Sequence, residues 1–188
     1  MKKRFIIVAT LLSLILTFSV LFISVYAAVN QTISITNQIS FVGNKEAKKF
    51  TINAIITGTT KEQAPTFLWE YDYENQKGLD GGNWEVGDLE FDNRNKSLDQ
   101  IHITYTFTIK NENNKRLIAS FVGPGNLIEG LNQKTYAYKE NSIETESTSV
   151  VFEENETAIL KLKLTVSSLD FSCDKQPVRF SINIDVAS

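Results

Sequence analysis

The chain has 188 residues, of which 42% are hydrophobic and 22% charged, with 19 Lys+Arg against 22 Asp+Glu and a formal net charge of -3. That length suits one domain with a short appendage, and the composition is that of a foldable chain. The acidic balance argues against nucleic acid as a partner, because phosphate binding needs a basic face. A single Cys, Cys173, excludes an intrachain disulfide framework, and a single His, His102, leaves no multi-His metal site and little room for His-dependent catalysis.

Lys2, Lys3 and Arg4 precede an uncharged run from Phe5 to Val29. Positive charge holds that end in the cytoplasm, and about 20 apolar residues span a bilayer. Val25 and Ala27 are the small residues expected ahead of a cut between Ala27 and Ala28. Residues 1–27 are therefore expected to be a signal peptide or an uncleaved membrane anchor, and residues 28–188 the folded domain. Both readings place that domain outside the cell, secreted or on the surface, touching membrane only through residues 5–29.

From Thr32 onward the apolar residues recur every second position. Ile33, Ile35, Ile39 and Phe41 form the first set, followed by Phe50, Ile52, Ala54 and Ile56, and by Phe67, Trp69, Tyr71 and Tyr73. Beyond the turn-rich 78–83 stretch come Trp84, Val86, Leu89 and Phe91, and then the clearest run, Ile101 to Ile109. Leu117–Val122 and Ser149–Phe152 are shorter. Ala158 to Val166 and Val178 to Val186 again alternate strictly. Period two puts each apolar set on one face of a strand, where a second layer must cover it. Eight or nine strands of this kind predict an all-β, two-sheet antiparallel sandwich. Pro65, Pro124 and Pro177 fall between the strands. Asn111, Asn113 and Asn114 are expected to supply positive φ in a hairpin.

Chemistry is sparse. His102 lies on the polar side of its strand beside Thr104 and Thr106, and neither G-x-S-x-G nor H-E-x-x-H occurs. No catalytic or metal-ligating residue is therefore assigned, and no cofactor is expected. Asp72, Asp80, Asp88 and Asp92 surround the glycine-rich loop and raise Ca²⁺, although the spacing of a calcium loop is absent. Trp69, Tyr71, Tyr73 and Trp84 can serve either as core or as an exposed platform for a sugar ring. Three Asn-x-Ser/Thr tripeptides, at Asn30, Asn95 and Asn155, are weak glycosylation signals.

An export segment leading into Asn30-Gln31-Thr32-Ile33-Ser34-Ile35, then Trp84-Glu85-Val86-Gly87-Asp88-Leu89-Glu90-Phe91, then the run Ile101 to Asn111 and an alternating terminal strand, resembles the TasA/camelysin-like exported proteins of Gram-positive bacteria. The resemblance implies a jelly-roll sandwich at the cell surface and assembly into biofilm matrix fibres, the first strand of one subunit completing a sheet of the next. Its partners would be copies of itself or related matrix subunits. The metalloprotease label of some members finds no support in these residues, so no enzyme activity is expected. Strand donation would rest on residues 28–42, with Ile33, Ile35, Ile39 and Phe41 filling the gap between the sheets. The same strand can instead pair within its own domain. A monomeric carbohydrate-binding or adhesion module, with cell-wall polysaccharide as partner, is the alternative.

Overall fold

The computed structural model describes residues 13–19, 34–60, 66–91, 97, 100–123, 130–167 and 178–187. The signal cleavage residues Ala27 and Ala28, together with Ile33, Asp92, Cys173 and the three prolines, lie outside the described residues, as do the side chains of Ile35 and Asp88. Residues 13–19 are helical. Among the described residues no helix is long and apolar enough to cross a membrane.

The described residues form ten strands: β1 (Ser34–Gly43), β2 (Lys49–Gly58), β3 (Phe67–Asp72), β4 (Gly82–Glu90), β5 (His102–Asn111), β6 (Leu117–Val122), β7 (Leu131–Lys139), β8 (Ser149–Phe152), β9 (Thr157–Val166) and β10 (Val178–Val186). They form two five-stranded sheets, ordered β4-β1-β10-β6-β8 and β3-β2-β5-β9-β7. The chain is thus an all-β sandwich. The antiparallel expectation fails at one pair, since β1 and β10 run parallel, Asn37 opposite Val178 through Gly43 opposite Ile184. Strand direction depends on which end of a sheet the chain enters, and side-chain alternation carries no record of that.

Alternation does fix which residues meet. Ile103, Tyr105, Phe107 and Ile109 of β5 and Ala158, Leu160, Leu162, Leu164 and Val166 of β9 all turn inward. They face Ile39 and Phe41 of β1 and Phe180, Ile182 and Ile184 of β10 in one buried cluster. Aromatic rings lock the sheets together. Phe41 stacks on Phe67 across the gap at 5.2 Å, Trp84 meets Phe107 edge-on at 6.3 Å, and Phe180 meets Tyr105 edge-on at 6.0 Å. Such offset and edge geometries are the favourable ones for aromatic pairs.

In β4 the spacing of apolar residues slips from two to three between Val86 and Leu89. A β-bulge explains the slip: the pairing with β1 jumps between Asn37 and Gln38, and Gly87 takes φ 73. One extra residue with positive φ restores the inward phase, so Trp84, Val86, Leu89 and Phe91 are all buried.

Among the described residues only β2 and β3 are both consecutive in sequence and neighbours in a sheet. Every other pair of consecutive strands is divided between the two sheets. The hairpin expected at Asn111–Asn114 is therefore an arch from β5 to β6, and the positive-φ role fails. Asn111 is instead fully buried, its Nδ2 donating to the carbonyls of Lys115 (2.9 Å) and Glu153 (3.0 Å) while its Oδ1 accepts from the Asn113 N–H at 2.8 Å. The buried amide thereby ties the arch at Lys115 to the turn after β8, where the Glu153 carbonyl also accepts from the Glu156 N–H at 3.1 Å. Left-handed backbone falls to Asn141 (φ 66) and Asn155 (φ 60).

Candidate functional site

The geometry singles out β1 and its exit. β1 lies inside its sheet, with β4 antiparallel on one side and β10 parallel on the other, and these two neighbours share no pairing of their own. Removing β1 would open a slot between two strands. Ile39 and Phe41 occupy the floor of that slot and are fully buried. Besides stacking on Phe67, Phe41 lies 5.7 Å from the Trp69 ring and meets Phe107 edge-on at 5.9 Å. On the outer side, the Ser40 and Ser181 hydroxyls are 2.7 Å apart across the parallel pair. Of the four residues assigned to strand donation, Ile39 and Phe41 thus line the intersheet space; only the backbone pairing of Ile35, with Leu89, is described.

β1 ends at Gly43, where an added Cβ would fall 2.7 Å from the Tyr71 ring. The chain then reaches β2 through five residues. Asn44 donates its N–H to the Ile184 carbonyl and its Nδ2 to the Asp185 carboxylate, both at 2.9 Å. Its Oδ1 accepts from the Glu46 N–H at 2.9 Å, which caps a single 3-10 turn, Lys45–Ala47. Lys48 closes the link at φ 36, ψ −58, a conformation an L side chain adopts only under strain.

The aromatic set does not form a sugar platform. Trp69, Tyr71 and Trp84 are buried, and only Tyr73 reaches solvent, 36% exposed. β3 ends at Asp72, so Tyr73 already belongs to the turn. The other three face inward because their strand positions share the phase of the core. Burial raises the Tyr71 hydroxyl above its usual range, with the neighbouring Tyr73 adding to the effect.

Asp72, one of the residues considered for Ca²⁺, is used locally. Its carboxylate accepts from the Asn75 side-chain amide (2.8 Å) and backbone N–H (3.0 Å), and Lys49 Nζ lies 3.7 Å away. Those bonds, the Asn75 side chain first, hold its pKa below the usual carboxylate value. Asp80 is exposed in the turn. Among the described residues no three His, Cys, Asp or Glu side chains are arranged to hold a metal ion. His102 opens β5 opposite Thr165, its backbone N–H donating to Thr59 Oγ1 at 2.9 Å and its Nδ1 3.2 Å from the Gln100 carbonyl.

The strained link at Lys48 carried no sequence signal, because a lysine is not a residue that announces left-handed backbone. In comparisons with known proteins, no family model and no curated protein sequence matches the chain.

Proposed function

We propose that this chain is an exported structural protein, secreted or held at the cell surface by residues 5–29, and a jelly-roll-like relative of the TasA/camelysin-like matrix subunits. Its role is non-enzymatic, and its partners are copies of itself or related subunits. The observation that carries the reading is the place of β1, a first strand inserted between two strands that do not otherwise pair. A strand so placed can be supplied equally well by a neighbour, because the slot it leaves presents two backbone edges and a buried apolar floor. The short link with Lys48 at φ 36 supports the same reading, since strained hinges favour exchange of the element they tether. Donation from each subunit to the next is head-to-tail and propagates as a filament.

The Ser40–Ser181 contact provides the test. With Cys173→Ser removing the native thiol, Ser40→Cys and Ser181→Cys place two thiols on neighbouring strands at a separation a disulfide spans. Oxidation of sedimentable material is expected to give a ladder of covalent multimers on a non-reducing gel. Sedimentable material that oxidises only to the monomer band would show that β1 stays in its own subunit, and the fibre reading would fall.

A further inference from the structure

We propose that the outward face of the second sheet, centred on Lys134 and Lys163, binds an acidic polysaccharide. This goes beyond the assembly reading, because the face belongs to the sheet that lacks β1 and is the same whether β1 pairs in its own subunit or a neighbour's.

The register of β7 against β9 sets Lys134 directly opposite Lys163. Like charges at facing positions destabilise a sheet, so the fold carries a local penalty here. Lys161 follows two positions along β9 on the same face, opposite Tyr136 and next to Thr106 of β5, while Lys163 is flanked by Thr104. On a chain of net charge -3, this concentrates cations among hydroxyls. Lys163 has no ion pair among the described residues.

The chain itself shows what the lysines accept. The connection from β7 to β8 folds back along the free edge of β7, with Ala137 N–H donating to the Thr145 carbonyl (3.0 Å) and Ser147 N–H to the Thr135 carbonyl (3.2 Å). From this extended segment Glu146 reaches Lys134 at 3.3 Å and Glu144 reaches Lys161 at 2.6 Å. Two carboxylates two residues apart on an extended strand are spaced by about 7 Å. A segment of the chain's own connection, bridged to β7 at Glu146, thus already places carboxylates on two of the three lysines.

A sugar backbone is favoured by what lies alongside. A depression of about 770 Å³ opens beside β7, and its lining includes Tyr138, Asn141, Ile143, Thr145, Ser147 and Ser149. Hydroxyl oxygens and an amide beside an aromatic ring and the exposed Ile143 side chain offer the mixture of hydrogen-bonding and apolar surface that a sugar ring takes. The Ser142, Thr145 and Ser147 hydroxyls act as acceptors, because they already donate to backbone carbonyls. Tyr138 joins the two features, since Lys161 Nζ sits 5.2 Å from its ring centroid. The ligand class that follows is a glycan with carboxylate-bearing sugars.

Affinity electrophoresis of the full chain through gels containing polygalacturonate tests this, with dextran, a ribitol-phosphate polymer and duplex DNA as comparison matrices. Polygalacturonate is expected to retard the chain at low salt more than any of the other three. Lys134→Gln with Lys163→Gln should weaken retardation at least tenfold while the thermal midpoint changes little, because the relief of Lys–Lys repulsion is set against the loss of the exposed Lys134–Glu146 pair. Glu144→Gln with Glu146→Gln, which leaves every lysine in place, should strengthen it several-fold. The proposal is overturned if the wild-type chain is not retarded, if any comparison matrix matches polygalacturonate, if the lysine pair retains full binding, or if freeing the lysines from both glutamates changes nothing.

Discussion

The sharpest quantitative prediction contrasts two adjacent residues of β1. Phe41 is 1% exposed and packs on Phe67, Trp69 and Phe107; Val42, one position on, points to solvent and is 51% exposed. Phe41→Ala deletes a ring held between the sheets, where the walls cannot fully close. Substitutions of this kind cost about 3–5 kcal/mol, combining lost transfer energy with a residual cavity. Val42→Ala removes surface already in water and should stay within about 0.5 kcal/mol. Against a total stability of about 5–15 kcal/mol, the first change is severe and the second silent. Urea unfolding followed by tryptophan fluorescence is the appropriate assay, since Trp69 and Trp84 are both buried and Phe41 lies beside Trp69. The unfolding midpoint should drop strongly for Phe41→Ala with an unchanged slope, and not for Val42→Ala. Equal losses at the two positions, or a larger one at Val42, would refute the inward phase of β1 and with it the slot from which the assembly argument starts.

Other expectations follow from single features. Gly87→Ala forces a Cβ into φ 73 with open space around it, so the penalty is conformational alone, about 1–2 kcal/mol, read from the same urea midpoint. Gly43→Ala instead meets the Tyr71 and Phe50 rings and should lower the thermal midpoint through overpacking, about 1–3 kcal/mol. Asn111→Ala strips the Lys115 carbonyl of its side-chain donor, while the Glu153 carbonyl keeps the Glu156 N–H at 3.1 Å, so the change should cost about 1–3 kcal/mol in all, measured by calorimetry. The Asn75 hydrogen bonds hold the folded Asp72 carboxyl below its ordinary value of 3.8, so the unfolded chain binds more protons as the medium acidifies. Its stabilisation is present above about pH 4 and lost as pH falls through the lowered folded value. Asp72→Asn should flatten the acid limb of a midpoint-against-pH curve, and an unaltered limb would remove Asp72 from the account.

The inward faces of seven strands were legible in the chain, because a buried face demands an apolar residue at every second position whatever the topology, while β6 and β8 showed only as short apolar pieces. β7 was not, since Leu131–Lys139 buries only Leu131 and Ala137 and lies at the edge of its sheet, where little apolar surface is required. The aromatic residues of β3 and β4 were visible as a set but ambiguous in role, as alternation gives a common face without saying whether that face meets solvent or another sheet. Alternation also left strand neighbours open. Nearly every connection crosses the sandwich, so adjacency in sequence says little about adjacency in a sheet, and the parallel β1–β10 pair and the arch at Asn111 emerge only when distant segments meet. The lysine pair at positions 134 and 163 depends on register between strands far apart in the chain, a quantity fixed by how both sheets pack and by no local pattern. The sequence by itself determined the class of fold, because hydrophobic periodicity is a local consequence of burial. Tertiary structure decided which edges, slots and charges face one another, because those follow from long-range pairing.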